Sequence, residues 1–307
     1  MTAQPTKHSA ATDVSWTIRR VLEWTTDHLR RHGSQTPRLD AEILLAHARG
    51  CQRIKLYTRY EGLLSNGERQ AMRELVQRRA QHEPVAYLVG HREFFSLNLR
   101  VTSDVLIPRP DTETLVVELL ERLKGQPEPR ILDVGTGSGC IAVAVAVNKP
   151  DAQVTAIDIS LPALEIARVN ASQHQVAGRI RFLQGDLFAT FQSRSGSGRT
   201  GSEKFEIIVS NPPYVAEGEW ETLQADVRLH EPRLSLLAGP DGLDVIRRVV
   251  AEASDFLVPG GHLLLEIDPG QAETVTELLR SQETYEEIGV SKDLAGKERL
   301  VYAGRRS

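Results

Sequence analysis

Between residues 14 and 82 the apolar positions recur at helical spacing. Ile18, Val21, Leu22 and Leu29 fall on one face, and Leu39, Ile43, Leu44 and His47 repeat the pattern after Pro37. Ser65 and Glu68 have the spacing of a capping box, heading a helix that runs through Met72, Leu75 and Val76. Residues 14–83 therefore read as a small helical bundle. From Pro84 to Ile107 the texture changes. Phe94, Phe95, Leu97, Leu99 and Val101 include alternating apolar positions, which predict a β-hairpin, and residues 84–107 read as a linker between two domains. The segment Ile107-Pro108-Arg109-Pro110-Asp111-Thr112-Glu113 then turns into a helix over Thr114–Leu123. Beyond it, short apolar runs at Arg130–Val134, Gln153–Ile157, Ile180–Gln184, Phe205–Ser210 and His262–Ile267 alternate with helical stretches such as Ile141–Val147 and Pro162–Asn170. That alternation predicts a doubly wound α/β sheet over residues 108–307.

Composition narrows the class. The chain has 307 residues, 40% hydrophobic and 25% charged, which is ordinary for a soluble globular protein of more than one domain. No apolar run approaches the roughly 20 residues needed to cross a bilayer. Met1–Asp13 is polar, lacks the apolar core of a signal peptide and reads as disordered, so the expected location is the cytoplasm. Cys51 and Cys140 are the only cysteines, and the nine histidines show no close metal-ligand pairing, so neither a disulfide framework nor a metal site is expected. Ser193–Lys204 is rich in Ser and Gly and reads as a flexible loop. Charge is uneven: residues 1–90 carry 14 Lys/Arg against 9 Asp/Glu, and residues 91–307 carry 23 against 32. This is either a solvated basic helical surface or a docking face for an acidic protein or RNA.

Candidate chemistry begins at Asp133-Val134-Gly135-Thr136-Gly137-Ser138-Gly139, between a strand and an apolar helix. Glycines there permit a tight turn and close approach of a ligand to the backbone, while the helix N-terminus offers unpaired N–H groups. Their spacing is closer than in the dinucleotide fingerprint. The next strand ends at Asp158, nineteen residues after Gly139. Its carboxylate either accepts hydrogen bonds from two ribose hydroxyls or caps the helix that begins near Ser160. After the third strand, Asp186 is an acceptor for an adenine amino group or a turn residue, and Leu187 packs on the ring or in the core. Loop and acid together point to a nucleoside ligand.

After the fourth strand stands Asn211-Pro212-Pro213-Tyr214. Two prolines cannot continue a ladder, so the chain leaves the sheet edge and presents an amide, a free carbonyl and an aromatic ring together. The Asn211 oxygen and the Pro212 carbonyl can accept the two N–H bonds of a planar –NH2, Pro213 stiffens the turn, and Tyr214 packs on the planar group. Such a nitrogen is a poor nucleophile, so methyl transfer to it depends on in-line placement. The alternative is a simple turn after a strand.

This arrangement resembles the class I S-adenosylmethionine-dependent methyltransferases, whose sheet is Rossmann-like. The resemblance implies S-adenosylmethionine as methyl donor, S-adenosylhomocysteine as product, and a place for Asp133 and the loop near the amino-acid part of the donor. Similar tetrapeptides occur in enzymes acting on adenine in DNA, on RNA and on protein glutamine. Further stretches are similar to the PrmC/HemK family of peptide-chain release factor glutamine methyltransferases: Pro84–Leu88, Arg92–Phe95, Leu106–Glu113, Glu231-Pro232, Asp241–Leu243 and Lys292–Gly296. The resemblance runs from about residue 15 to the end. It implies an enzyme that methylates the glutamine of the Gly-Gly-Gln motif in class I release factors, docked by the helical bundle; monomer is the default expectation for its oligomeric state. Carried over by position, Asp133, Gly135, Thr136, Gly137, Ser138, Gly139, Asp158, Asp186, Leu187 and Asn211 hold the cofactor. Asn211, Pro212, Pro213, Tyr214 and Arg109 hold the glutamine, with Asn211, Pro212 and Tyr214 as the catalytic set. Two departures stand out: Leu187 replaces a common aromatic residue, and Glu266–Gln271 carries Asp-Pro in place of a glycine-containing turn. The competing readings are an adenine methyltransferase, which the acidic residues 91–307 count against, and a non-catalytic nucleoside-binding module.

Overall fold

The computed structural model describes residues 15–192 and 203–307. The disorder expected of residues 1–13, and all but the last two residues of the Ser/Gly-rich loop, lie outside the described residues. Two compact units divide after Val89.

The first unit is helical: α1 (Ile18–Arg31), α2 (Pro37–Ala48), α3 (Ile54–Thr58), α4 (Asn66–Ala80) and α5 (Val85–Val89). Its core joins Ile18, Leu22 and Leu29 to Leu44, Leu45, Leu56, Met72, Leu75 and Val76. The Ser65–Glu68 capping box forms at the head of α4. On α2 the expected face of Leu39, Ile43, Leu44 and His47 is buried only at Leu44, Leu39 is exposed, and the buried stripe is displaced to Asp40, Ala41, Leu44 and Leu45. The displacement has an electrostatic cause. Buried Asp40 accepts from Arg79 Nε, Ser34 Oγ and Thr36 Oγ1, each at 2.8 Å, so this acidic position turns inward with its partners. Residues 85–89 are helical, where the hairpin reading had extended β structure back to Pro84.

The second unit opens with the hairpin β1 (His91–Phe94) and β2 (Leu97–Arg100), whose Phe94 and Leu99 enter the core. Then follow α6 (Thr112–Arg122), β3 (Arg130–Val134), α7 (Cys140–Asn148), β4 (Gln153–Asp158), α8 (Leu161–Gln173), β5 (Ile180–Gln184), α9 (Ala189–Gln192) and β6 (Phe205–Ser210). The chain closes with α10 (Ala225–His230), α11 (Asp244–Ala253), β7 (Leu257–Glu266), α12 (Ala272–Arg280), β8 (Tyr285–Lys292) and β9 (Glu298–Arg305). The sheet order is β5-β4-β3-β6-β7-β9-β8, with β9 antiparallel to both its neighbours. The five parallel strands match the five expected runs. β8 and β9 carry too little regular alternation to stand out; β8 is an edge strand with one buried position.

Alternate residues of the central strands feed two cores. Ile131, Val154, Ile207 and Leu264 pack with α6 and α7 on one face, while Leu132, Ile157, Ile208 and Leu265 pack with α11 and α12 on the other. The strand order reverses between β3 and β6, and the carboxyl ends of strands at such a switch point are where open α/β sheets bind ligands. Among the described residues no helix is long and apolar enough to cross a membrane.

Candidate active site

A cavity of about 300 Å³ lies over the carboxyl ends of β3, β4, β5 and β6. Gly135, Gly137, Asp158, Asp186, Leu187, Asn211, Pro212 and Pro213 line it, so the structure brings together residues spread over more than seventy positions. Asp133, Thr136, Ser138, Gly139, Tyr214 and Arg109 are not on its wall.

The side chains of Asp133 and Thr136 sit beneath the glycine loop. Asp133 is 1% exposed, and its Oδ2 accepts from Thr136 Oγ1 at 2.6 Å and from the Ala142 N–H at 3.2 Å. The carboxylate thereby anchors the loop and the first turn of α7 from below. Its Oδ1 has no partner, and burial pushes the pKa up to about 7. The N–H groups of Gly135 and Thr136 both donate to the Ile157 carbonyl at 2.9 Å, which ties the loop to β4. Gly135 and Gly137 have φ of +75° and +54°, and a Cβ at either would meet nothing within 4 Å, so the loop backbone faces open space.

Asp158 terminates β4 with both oxygens engaged. Oδ2 accepts from the Gly137 N–H and Oδ1 from the Ser160 N–H, each at 2.8 Å. The capping and ligand readings are thus compatible, since a carboxylate oxygen has two lone pairs. Burial raises the Asp158 pKa, opposed by those backbone donors. Asp186 is half-exposed, and its Oδ2 accepts from Arg248 Nη2 at 2.9 Å. Leu187 stands beside it with φ of +49°, unusual for a branched side chain, and shares the wall with Ile157, Ile159 and Val245. These side chains make this part of the wall apolar, with no aromatic residue among its lining.

The tetrapeptide is braced from several directions. The Ser210 hydroxyl donates to the Val134 carbonyl at 2.7 Å, fixing the end of β6 to that of β3. Asn211 Nδ2 donates to Thr112 Oγ1 at 3.1 Å. The Tyr214 carbonyl accepts from Gln271 Nε2 at 3.0 Å, so the segment with the unusual Asp-Pro turn still delivers a brace. Burial pushes the Tyr214 hydroxyl pKa up to about 12, with nearby Glu266 adding to the effect. Arg109 Nη2 donates to Glu231 Oε1 at 2.6 Å, and the Ile107 N–H donates to Oε2 at 3.1 Å. The Glu231 side chain is 1% exposed; burial raises its pKa, and Arg109 opposes the rise. Arg109 thus ties the strip before α6 to the end of α10, and this strip supplies Val105 and Leu106 to the cavity wall.

Thr112, Glu231 and Glu266 were not in the sequence-derived site. A carboxylate closing the apolar run Leu263-Leu264-Leu265 was the available signal for Glu266, because a charge at the end of a buried strand needs partners. Thr112 carried no signal beyond a helix start.

Residues 20–90 match the PrmC N-terminal domain family, and residues 110–232 match the methyltransferase small domain. The chain is 48% identical over 293 residues to a protein of Rhodopirellula baltica, covering 94% of this chain and 96% of that one. A Geobacter sulfurreducens protein is 42% identical over 286 residues, covering 93% and 96%. Both are release factor glutamine methyltransferases. Among solved structures, the human Mettl16 catalytic domain in complex with MAT2A 3′UTR hairpin 6 superposes with a TM-score of 0.54 at 14% identity, over 76% of this chain and 82% of that one. At that identity the likeness is one of fold alone.

Proposed function

This chain belongs to the family of release factor glutamine methyltransferases, and from that membership we infer its reaction: methylation, from S-adenosylmethionine, of the glutamine side-chain amide in the Gly-Gly-Gln motif of class I peptide-chain release factors. The observation that carries the reading is the near-full-length identity to such enzymes, joined to a nucleoside-sized cavity that ends at Asn211.

The residues present fit the donor. The open backbone of Gly135 and Gly137 leaves room for a ligand against the loop, Asp158 keeps lone pairs for ribose hydroxyls, and Asp186 keeps an oxygen for an amino group. Bound there, the sulfonium supplies an electrophilic methyl group and a neutral thioether leaving group. Asn211 Oδ1 and the Pro212 carbonyl each accept one N–H of the glutamine amide, which turns the nitrogen lone pair toward the methyl group. As the N–C bond forms, the nitrogen becomes positive and these two acceptors strengthen their hold, stabilising the transition state more than the bound substrate. One proton then passes from the nitrogen to water, leaving the N-methyl amide. Tyr214, off the cavity wall, holds the turn in place through its carbonyl, which accepts from Gln271 Nε2. Neither a metal nor a strong base is required, because the leaving group is already activated.

Labelled S-adenosylmethionine supplied with either a release factor or DNA, followed by mass spectrometry of the product, tests the assignment. Label on the Gly-Gly-Gln glutamine is expected. Label on adenine, with the glutamine unmodified, would overturn it.

A further inference from the structure

Among the described residues, the cavity wall carries no aromatic ring on which a purine could rest. It does carry one broad flat cation. Arg248 lines the cavity together with Asp186, Leu187 and Val245, and no other Lys or Arg reaches that wall. Val245 and Arg248 stand three residues apart on α11, so they share a helix face, while Ile246, Val249, Val250 and Ala253 turn into the core. The neighbouring Arg247 is committed locally, to Asp241 at 3.0 Å and Asp244 at 3.3 Å. Arg248 instead reaches across to the loop after β5, where its Nη2 donates to Asp186 Oδ2 at 2.9 Å.

Both side chains of that ion pair are 48% exposed, and an exposed pair adds little to stability. Its effect is geometric. It holds a long side chain with many rotamers at one place on the cavity wall. The N–H bonds of a guanidinium lie in its plane, so a hydrogen bond taken at the edge leaves the planar faces uncommitted.

Resting on the methyltransferase reading, we propose that the adenine of the donor stacks on the Arg248 guanidinium, which takes over the role of the aromatic residue absent at Leu187. A guanidinium is flat, delocalised and weakly hydrated, and nucleobases stack on it much as they do on aromatic rings. An aliphatic side chain such as Leu187 gives dispersion contact but no flat face. Asp186 then serves the purine twice. Its Oδ2 fixes the guanidinium, and its Oδ1 is left to accept from the adenine amino group.

The experiment measures donor affinity by titration calorimetry and melting temperature by scanning calorimetry, in the full chain. The variants are R248A, R248K, Leu187→Phe, and R248A combined with Leu187→Phe. R248A should weaken S-adenosylmethionine binding about tenfold, the scale of one base stack. Its melting temperature should stay within about one degree of wild type, because the lost pair is exposed. R248K keeps the charge and a reach toward Asp186 but has no flat face, so its affinity should stay within about threefold of R248A. Leu187→Phe supplies a ring, so it should gain about tenfold in the R248A background and little in wild type, where the purine face is already covered. If R248K binds the donor as wild type does, charge alone is what matters and the proposal is overturned. The same holds if Leu187→Phe changes affinity by one factor in both backgrounds, or if melting temperature falls in step with affinity. A wild-type chain that binds no S-adenosylmethionine overturns the functional reading itself, which is a distinguishable result.

Discussion

Gly135→Ala and Gly139→Ala impose nearly the same backbone strain in opposite surroundings, and the loop predicts that they fail in different ways. Their φ values are +75° and +78°, and placing an L side chain there costs about 1–2 kcal/mol in either case. At Gly139 the new Cβ would lie 3.0 Å from Ala167 Cβ and 3.2 Å from its Cα. Ala167 belongs to α8 and is fully buried, so relief requires moving one helix against another, at about 1–3 kcal/mol more. At Gly135 the Cβ would meet nothing within 4 Å and would stand on the cavity wall. Gly139→Ala should therefore lower stability by about 1–3 kcal/mol more than Gly135→Ala, a gap of several degrees in melting temperature for a unit of this size. Gly135→Ala should lose roughly tenfold or more in S-adenosylmethionine affinity, because its methyl group occupies ligand space. Differential scanning calorimetry of the free protein and titration calorimetry with the donor read the two quantities separately. Equal melting temperatures, or a larger affinity loss in Gly139→Ala, would refute this division of labour within the loop.

Three further outcomes are expected. Asn211→Ala should reduce kcat roughly a hundredfold while leaving donor affinity nearly intact; equal losses in a kinetic and a calorimetric assay would make Asn211 structural. The Glu266 pKa is raised from 4.5 to about 7 by burial, so the folded state favours the protonated form. The stability it contributes is present below pH 4.5 and is lost as pH rises through about 7, so Glu266→Gln should flatten the fall in melting temperature across that window. Removing residues 1–89 should impair methylation of whole release factor more than that of a short Gly-Gly-Gln peptide, and a parallel loss on both substrates would deny the helical unit a docking role.

The sheet was legible because its central strands β3, β4 and β6, with the last residues of β7, are largely apolar and buried on both faces. Asp158 and the tetrapeptide were legible for a related reason: polar groups at the ends of such runs stand out. Residues whose role depends on what the fold places beside them were harder to read. Asp133 reads as a ligand residue beside a glycine loop, yet its carboxylate faces down into the protein toward Thr136 and Ala142. Thr112 and Asn211 are ninety-nine positions apart, and no local pattern joins them. The α2 stripe was misread because Asp40 is buried by Arg79, thirty-nine residues away, and periodicity alone assigns a charged position to the solvent.

Asn170 gives the glycine loop a dependence that its compact motif conceals. This buried amide in α8 accepts from the Arg100 N–H at 2.7 Å, donates to the Arg100 carbonyl at 3.0 Å, and donates to the Ser138 carbonyl at 2.8 Å. One side chain thus staples the end of the hairpin to the loop beneath the cofactor cavity. A polypeptide cut to begin at Pro108 would keep every residue of the loop and lose two of the three bonds that orient this staple. Transplanting the motif, or trimming the chain to what its signature suggests, would carry away the letters and leave part of the grammar behind.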